Sequence, residues 1–379
     1  MAHNSMRANA ANQENHWGLM LMAGGTGGHV FPALAVAEHL RASGVPLTWL
    51  GTGRGLEATL VPRAGYAFTA VSARSLRRTG LLEQLAAPLW LVRALIECLW
   101  LLRCQKPGAV LGMGGYASGP GGLAAWLMRI PLLIHEQNAV PGVTNRLLAA
   151  FATRVMESFP DSFPARRSAL CTGNPVRAEV AALASSPLMS SLTRGPGTDG
   201  ALRLLVVGGS QGAAALNRVV PEAIARVPGR AIDVWHQVGR LDGGETGQRY
   251  AALGIEARVE PFIEDVAAAY AWAGLCLCRA GASTVFELCA AGAPAILVPY
   301  PYAVDDHQSA NARYLAERGA AILLPQEDLE DTALAALLGT LRDDPARLAE
   351  MAAEARRLAC PEATARVAAQ CLEVLHARV

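Results

Sequence analysis

The chain predicts an α/β protein made of two open, parallel-sheet units in tandem. Three observations predict it. An apolar run, Leu19-Met20-Leu21-Met22-Ala23, leads into a glycine-rich turn, Gly24-Gly25-Thr26-Gly27-Gly28-His29. The same pattern returns at Leu204-Leu205-Val206-Val207 followed by Gly208-Gly209-Ser210-Gln211-Gly212-Ala213. Around both turns, strand-like and helix-like stretches alternate, the rhythm of a parallel sheet covered by helices. A strand, a glycine turn and a helix in succession can cradle a phosphate, because glycine lets the backbone come close and a helix N-terminus offers free N–H groups to an anion. Two such turns imply two anion-holding units facing one cleft.

The elements follow in order. Gly18–Ala23 reads as a strand and Val30–Ser43 as an amphipathic helix. Pro46–Leu50 is the second strand, with a helix over Leu56–Ala64 behind it. Ser75–Cys104 is a long segment rich in Leu, Trp and Arg. Ala109–Leu111 is a strand, followed by a second glycine-bearing turn and a helix to Met128, then a strand at Pro131–His135. Ser185–Gly200, rich in Ser, Gly, Pro and Thr, is a surface loop near a domain boundary. The rhythm restarts with strands at Arg203–Val207, Ala231–Val238, Ala257–Phe262, Leu275–Cys278 and Ala295–Val298. Helices include Gly212–Arg226, Ser283–Ala291 and His307–Arg318. The expected domains are a disordered tail over residues 1–16, an N-terminal domain over 17–177 and a C-terminal domain over 178–359. A last helix in 360–379, read over Pro361–Ala377, completes the first domain.

Composition narrows the class. The 379 residues are 52% hydrophobic, which fits a globular chain. A net charge of +1 gives no reason to expect a nucleic-acid partner. The basic charge is almost all arginine, Lys106 being the only lysine. None of the eight cysteines forms a C-x-x-C, and Cys276 and Cys278 alternate along an apolar run, so the thiols read as core residues in a reducing cytosol. The N-terminal stretch has no apolar core of a signal peptide. The nearest approach to a membrane span, Leu85–Leu102, is broken by Arg93 and Glu97.

The first turn fails the dinucleotide fingerprint. Val30 stands where the third glycine belongs, and the second strand runs into Gly51-Thr52-Gly53-Arg54 with no acid placed to hold a ribose hydroxyl. Arg54 leaves an NADP reading open, and no Gly-Lys-Ser/Thr follows to make a Walker loop. His29, at the start of a helix, is either a neutral base aimed into the cleft or a structural cap. The second turn carries Ser210 and Gln211, donors suited to a diphosphate, or is merely a tight strand-to-helix turn. His135-Glu136-Gln137-Asn138 sits at the C-terminal end of a strand, where open α/β sheets bind ligands. In Arg279–Glu287, a strand, a small-residue turn and a helix place Glu287 in about the first helical turn. There it either accepts both hydroxyls of a ribose or complements the helix dipole. Asp305-Asp306-His307-Gln308 opens another helix, with Asp306 as its N-cap.

Seven stretches in order carry a family resemblance: Gly24–Pro32, Gly114–Pro120, His135–Asn138, Gly173–Arg177, Gly208–Ala213, Arg279–Glu287, and His307-Gln308 with Asn311. Together they resemble the glycosyltransferase family 28 enzymes of peptidoglycan synthesis that convert lipid I to lipid II. They cover Leu19 to about Gly319. The resemblance implies a GT-B fold, two Rossmann-like domains with parallel sheets facing a deep cleft. It also implies inverting transfer of GlcNAc from UDP-GlcNAc to the C4 hydroxyl of MurNAc, giving a β-1,4 linkage. By the same resemblance, Ser210 and Arg177 reach the diphosphate and Ile263 offers backbone groups to uracil. Ala282, Ser283, Thr284, Val285, Phe286 and Glu287 hold the nucleotide, with Glu287 on the ribose and Gln308 on sugar hydroxyls. Thr26, Gly27, Gly28 and Asn138 touch the sugar or diphosphate. The acceptor pyrophosphate lies against Gly25, Gly114, Gly115, Tyr116, Ser118 and Gly119. His307 departs from the second glutamine that some members carry before Gln308.

Inversion takes one displacement, with a base removing the acceptor proton; His29 is the first candidate and Glu136 the second. The sequence has no D-x-D. Helix N-termini, Ser210 and Arg177 are therefore expected to stabilise the leaving diphosphate without a metal, and no cofactor is expected. Lipid I is membrane-embedded, so a docking surface is needed. Arg77, Arg78, Leu81, Leu82 and Trp90 form a basic-rimmed apolar patch suited to an anionic bilayer, while Leu85–Cys104 reads equally as an ordinary core helix. The implied partners are UDP-GlcNAc, lipid I, the membrane surface and other cell-wall synthesis proteins, and the implied place is the cytoplasmic face of the inner membrane. A UDP-GlcNAc epimerase of the same fold and a non-catalytic nucleotide-sugar-binding scaffold are the competing readings.

Overall fold

The computed structural model describes residues 18–73, 81–184, 200–209, 213–230 and 232–377, with backbone alone at 81–86 and 230. The expected tail, Arg77, Arg78, most of the Ser185–Gly200 loop, and Ser210 with Gln211 and Gly212 lie outside the described residues, as do the side chains of Leu81 and Leu82. Contacts divide the chain into two compact units. The first takes in the described residues up to Gln137, Pro141–Pro175, and those from Glu362 on; the second takes in Asn138–Val140 and Val176–Pro361.

In the first unit the chain runs β1 (Leu19–Met22), α1 (Gly27–Ala42), β2 (Leu47–Thr52), α2 (Glu57–Arg63), β3 (Ala67–Val71), α3 (Leu81–Gln105), β4 (Ala109–Gly112), α4 (Ser118–Leu127), β5 (Leu132–Glu136), α5 (Val143–Leu148), β6 (Arg154–Glu157) and β7 (Leu170–Cys171). The strands form one parallel sheet in the order β3-β2-β1-β4-β5-β6-β7. β1 is buried on both faces, as its unbroken apolar run requires. Leu19 and Leu21 enter one core with Val36 and Leu40 of α1. Met20 and Met22 enter the opposite core with Cys98 and Leu102 of α3 and Ala124 of α4. The strand order reverses between β1 and β4, so the turns after these two strands flank a topological switch point, the usual ligand crevice of an open sheet.

The second unit runs α6 (Ala178–Leu183), β8 (Leu202–Val207), α7 (Ala214–Arg226), β9 (Ile232–Gln237), α8 (Glu245–Ala252), β10 (Ala257–Glu260), α9 (Val266–Trp272), β11 (Leu275–Cys278), α10 (Ala282–Ala291), β12 (Ala295–Leu297), α11 (His307–Ala316), β13 (Ala321–Leu323), α12 (Asp331–Asp343) and α13 (Pro345–Arg357). Its parallel sheet has the order β10-β9-β8-β11-β12-β13, with the same reversal between its first and fourth strands. Leu204 and Val206 of β8 pack with Leu216 and Val220 of α7 and Leu334 and Leu338 of α12.

The final helix, α14 (Ala363–His376), belongs to the first unit. Val367, Cys371, Val374 and Leu375 join the core around Leu19 and Leu21. Each fully buried aliphatic side chain contributes roughly 1.5–3 kcal/mol, so this helix is a main support of the α1 side of the sheet.

The structure adds four strands that sequence patterning did not anticipate: β3, β6, β7 and the three-residue β13. β3 is only half-buried at the sheet edge, and β7 is two exposed residues long, so neither carries a strong apolar signature. α3, which spans Leu85–Cys104, has both a buried and an exposed apolar face. Ala94, Cys98, Leu101 and Leu102 are core, whereas Leu89, Val92, Ile96 and Trp100 recur at helical spacing on an exposed face. Trp90, expected in the membrane patch, is half-buried and off that face. α4 and α5 also expose apolar side chains, Trp126, Leu127 and Leu147, and the Trp126 ring lies 4.7 Å from that of Phe151. Among the described residues no helix is long and apolar enough to cross a membrane.

Candidate functional site

In the first unit the β1 and β4 turns meet at the switch point. Gly25 has φ +90, which bends the chain so that Thr26 becomes the N-cap and α1 starts at Gly27. His29 therefore lies in the first turn of the helix, with its backbone N–H on the Thr26 carbonyl. The exposed Thr26 hydroxyl makes no cap bond. Gly114 and Gly115 also have left-handed backbones, φ +92 and +91. A Cβ at Gly114 would come within 2.6 Å of the His29 ring, and one at Gly115 would collide with the Gly24 backbone. Only glycines let the two turns close on each other at this spacing.

Ser118 differs from the expectation of a pyrophosphate ligand. It is fully buried, and its hydroxyl is directed to the carbonyls of Gly114 (2.7 Å) and Met22 (3.0 Å), tying the β4 turn to β1 from inside. Gly25 also differs, because its N–H donates to Glu57 Oε2 at 2.8 Å. Glu57, given no role from the sequence, braces this turn. It is fully buried, and its Oε1 accepts from the Thr52 N–H (3.0 Å) and hydroxyl (2.7 Å). An acid does therefore approach the end of β2, but it is turned inward as a brace for the first turn. The only signal was a carboxylate a few residues past a strand, behind Gly53 and Gly55. Tyr116 is exposed beside the turn, and Gly119 lies in the first turn of α4.

His29 Nδ1 is 2.8 Å from Gln137 Oε1. Gln137 Nε2 lies 3.1 Å from both the carbonyl and Nδ1 of His135. His135 Nε2 is 3.1 Å from the Gly173 carbonyl and 3.2 Å from Thr172 Oγ1. Burial lowers the His135 pKa to about 4, so the ring is neutral. Glu136 is buried with Oε2 accepting from the Gly142 N–H (3.1 Å) and Asn145 Nδ2 (2.9 Å). In this posture Glu136 braces the loop that leads into α5.

In the second unit the β8 turn is gripped by Gln237, the last residue of β9. Its Oε1 accepts from the Gly209 N–H (3.0 Å), and its Nε2 donates to the carbonyls of Gly209 (2.9 Å) and Pro261 (3.1 Å). This residue too was given no role from the sequence, although a buried glutamine ending an apolar strand is a signal. Across the switch point β11 leads through Arg279, Ala280 and the N-cap Gly281 into α10. Arg279 donates to the carbonyls of Val298 and Pro299 and to Gln326 Oε1, which rigidifies the turn.

Ala282, Ser283 and Thr284 are the first three residues of α10, whereas the Val285 N–H already bonds the Gly281 carbonyl. Val285 and Phe286 point into the core, so their expected nucleotide contacts are not side-chain contacts. Glu287 is the sixth residue of α10, in its second turn, so the dipole-complementing alternative does not apply. The Glu287 side chain is 6% exposed; Oε1 takes Arg177 Nε (3.0 Å) and Nη2 (2.8 Å), and Oε2 takes the Tyr270 hydroxyl (3.1 Å). Burial pushes the Tyr270 hydroxyl well above its usual range, so it is a fixed donor.

Asn138 packs with this unit. Asn311 accepts the Ala139 N–H (2.9 Å) and donates to Asn138 Oδ1 (3.2 Å) and the Ala280 carbonyl (3.1 Å). Gln308, in the first turn of α11, accepts from the Tyr300 N–H at 2.9 Å. Asp306 stands at the N-cap position with φ +51, but its carboxylate accepts from the Ser309 hydroxyl and not from the backbone. Ile263 is buried in the loop between β10 and α9. The expected sites thus fall into two groups. Thr26, Gly27, Gly28, His29, Gly114, Gly115 and Tyr116 share one switch point, and Arg177 with residues 282–287 shares the other.

Both halves match known families. Residues 19–157 match the glycosyltransferase family 28 N-terminal domain and residues 203–368 the family's C-terminal domain. A Nitrosococcus oceani protein named UDP-N-acetylglucosamine--N-acetylmuramyl-(pentapeptide) pyrophosphoryl-undecaprenol N-acetylglucosamine transferase is 53% identical over 94% of this chain and 98% of its own. One of the same name from Alkalilimnicola ehrlichii is 54% identical over the same shares. The crystal structure of Acinetobacter baumannii MurG is similar with a TM-score of 0.77 and 39% identity, covering 94% of this chain and 99% of its own.

Proposed function

The chain belongs to glycosyltransferase family 28, and from that premise we propose that it transfers GlcNAc from UDP-GlcNAc to the C4 hydroxyl of MurNAc in lipid I, giving lipid II by inversion. The observation that carries this reading is identity above one half, along nearly the whole chain, to relatives named for that transfer. The epimerase and scaffold readings have no comparable support. The fold is GT-B, with a parallel-sheet Rossmann-like domain in each half.

The donor belongs to the second unit. The N-terminal N–H groups of α10 and the Arg177 guanidinium supply positive charge for the departing diphosphate, with Ser210 as a further donor. Glu287, held by Arg177 and Tyr270, accepts from the ribose, and Ile263 offers its backbone to the base. Gln308, Asn138, Thr26, Gly27 and Gly28 address the sugar and diphosphate. The β4 turn at Gly114, Gly115, Tyr116 and Gly119 serves the acceptor pyrophosphate. His29 removes the C4 proton as that oxygen forms its bond to the donor C1 and the C1–O bond to UDP breaks. No cofactor takes part in this reading.

The test is labelled UDP-GlcNAc with a lipid I analogue. Disaccharide product is expected; an isomerised UDP-sugar alone, or binding without turnover, would overturn the proposal.

Lipid I places the enzyme at a bilayer, and we assign docking to the exposed face of α3. Leu89, Val92, Ile96 and Trp100 lie there, with exposed Arg93 on the same helix. A peripheral location on the cytoplasmic face of the membrane follows, and other cell-wall synthesis proteins are natural neighbours there. An Ile96→Ser/Trp100→Ser protein is expected to sediment about tenfold less with anionic vesicles. Unchanged sedimentation would remove α3 from the docking surface.

A further inference from the structure

We propose that Gln137 is a positioning residue for the transfer: it locks the His29 imidazole with its proton on Nδ1 and its lone pair on Nε2. This rests on the reading of His29 as the base.

Two backbone carbonyls leave the network no other arrangement. The Gln137 atom 3.1 Å from the His135 carbonyl must be the amide nitrogen, because a carbonyl oxygen only accepts. The other end of the same amide, 2.8 Å from His29 Nδ1, is then an oxygen and must receive a proton from the ring. The neutral His29 ring therefore has its lone pair on Nε2. The far side agrees independently. The Gly173 carbonyl, 3.1 Å from His135 Nε2, requires a proton there. Neutral His135 then offers an Nδ1 lone pair, which receives the Gln137 N–H at 3.1 Å. The chain runs from His29 through Gln137 and His135 to the Gly173 carbonyl, every member with one consistent orientation.

Each support is itself fixed. Gln137 and His135 are buried, and Gly114 packs against the His29 ring. The arrangement copies the logic of a histidine base oriented by a third group, but uses a neutral amide in place of a carboxylate. An amide sets the tautomer without placing a negative charge beside the acceptor pyrophosphate. Without Gln137 the ring would revert to the Nε2–H form that free imidazole side chains favour, and the reacting nitrogen would carry a proton it cannot accept twice.

The measurement is the His29 tautomer in the full-length protein labelled with 15N-histidine, read from its ring nitrogen shifts above pH 7.5. The Nδ1–H form is expected; the Nε2–H form overturns the proposal without any substitution being made. In Gln137→Met the ring is expected to shift toward Nε2–H, and kcat to fall roughly 10²-fold with the UDP-GlcNAc KM within about twofold. A Gln137→Met enzyme that keeps its kcat overturns the proposal as well. His29→Ala separates the two readings: if it retains turnover the base assignment fails, whereas lost turnover in His29→Ala beside full turnover in Gln137→Met removes Gln137 alone.

Discussion

The two glycine turns occupy equivalent places after the first strand of each sheet, yet they are held by opposite means. Glu57 braces the first with a buried carboxylate that takes the Gly25 N–H. Gln237 braces the second with an amide that bonds both the N–H and the carbonyl of Gly209. A carboxylate at the mouth of a turn repels phosphate, and an amide does not. The difference separates two turns that look alike as sequence. In the proposed reading the second is the better suited of the two to a diphosphate, while the first, besides presenting Thr26, Gly27 and Gly28, holds the start of α1, and with it His29, against Gly114.

The largest expected effect is on stability in the first unit. Glu57→Ala would leave the buried Thr52 N–H and hydroxyl and the half-buried Gly25 N–H without their acceptor, and should cost about 3 kcal/mol in denaturant unfolding. Gln237→Ala should cost about half as much, since only neutral hydrogen bonds are lost. Equal costs would mean that the charge on Glu57 adds nothing to the brace.

The second effect contrasts the buried histidines of the two halves. Burial lowers His135 to about 4 and His236 to about 3, both below the ordinary 6.5. The unfolded chain therefore takes up protons first as the pH falls. The stability held by each neutral ring is complete above about pH 6.5 and declines below it, by roughly 2 kcal/mol per histidine between pH 6.5 and 5. His236 donates to or accepts from the Tyr250 hydroxyl at 3.0 Å, but its Nε2 has no hydrogen-bond partner among the described residues, whereas both nitrogens of His135 are engaged. His236→Phe should thus flatten the pH profile while costing at pH 8 the one hydrogen bond to the Tyr250 hydroxyl, and His135→Phe should flatten it at a larger cost at every pH, because bonds on both ring nitrogens are lost. Identical profiles for the two variants would erase that contrast.

The smallest effect is the most direct test of the turns. Gln237→Glu should weaken UDP binding about tenfold in calorimetry, by bringing a charge to the second turn. Glu57→Gln should leave UDP affinity unchanged. Should both exchanges act alike on UDP, the division of labour between the turns would be lost.

Much of this was legible in the sequence for a physical reason: a fully buried parallel strand followed by glycines and a helix is a local pattern, and β1, β8 and β11 carry it. The braces were not legible. Glu57 reaches Gly25 across 32 residues, and Gln237 reaches Gly209 across 28. Nothing in their local sequence says which way such a side chain turns. Ser118 misled for the same reason, since a serine beside glycines reads as a ligand until its hydroxyl is seen to face Met22. Gln137 stood inside a recognised stretch without a role, because its meaning lies in the two carbonyls that orient it. The exposed stripe on α3 was not legible as such, because a helix apolar on most sides does not declare which side faces solvent.

The return of α14 to the first unit has a consequence for synthesis. While the ribosome makes residues 176–361, the sheet around Leu19 and Leu21 has α1 but lacks Val367, Cys371, Val374 and Leu375. The first half therefore waits, one face incompletely clad, for as long as the second half takes to emerge. A message cut short before codon 363 would release a polypeptide whose second unit can fold and whose first unit is a substrate for chaperones and proteases.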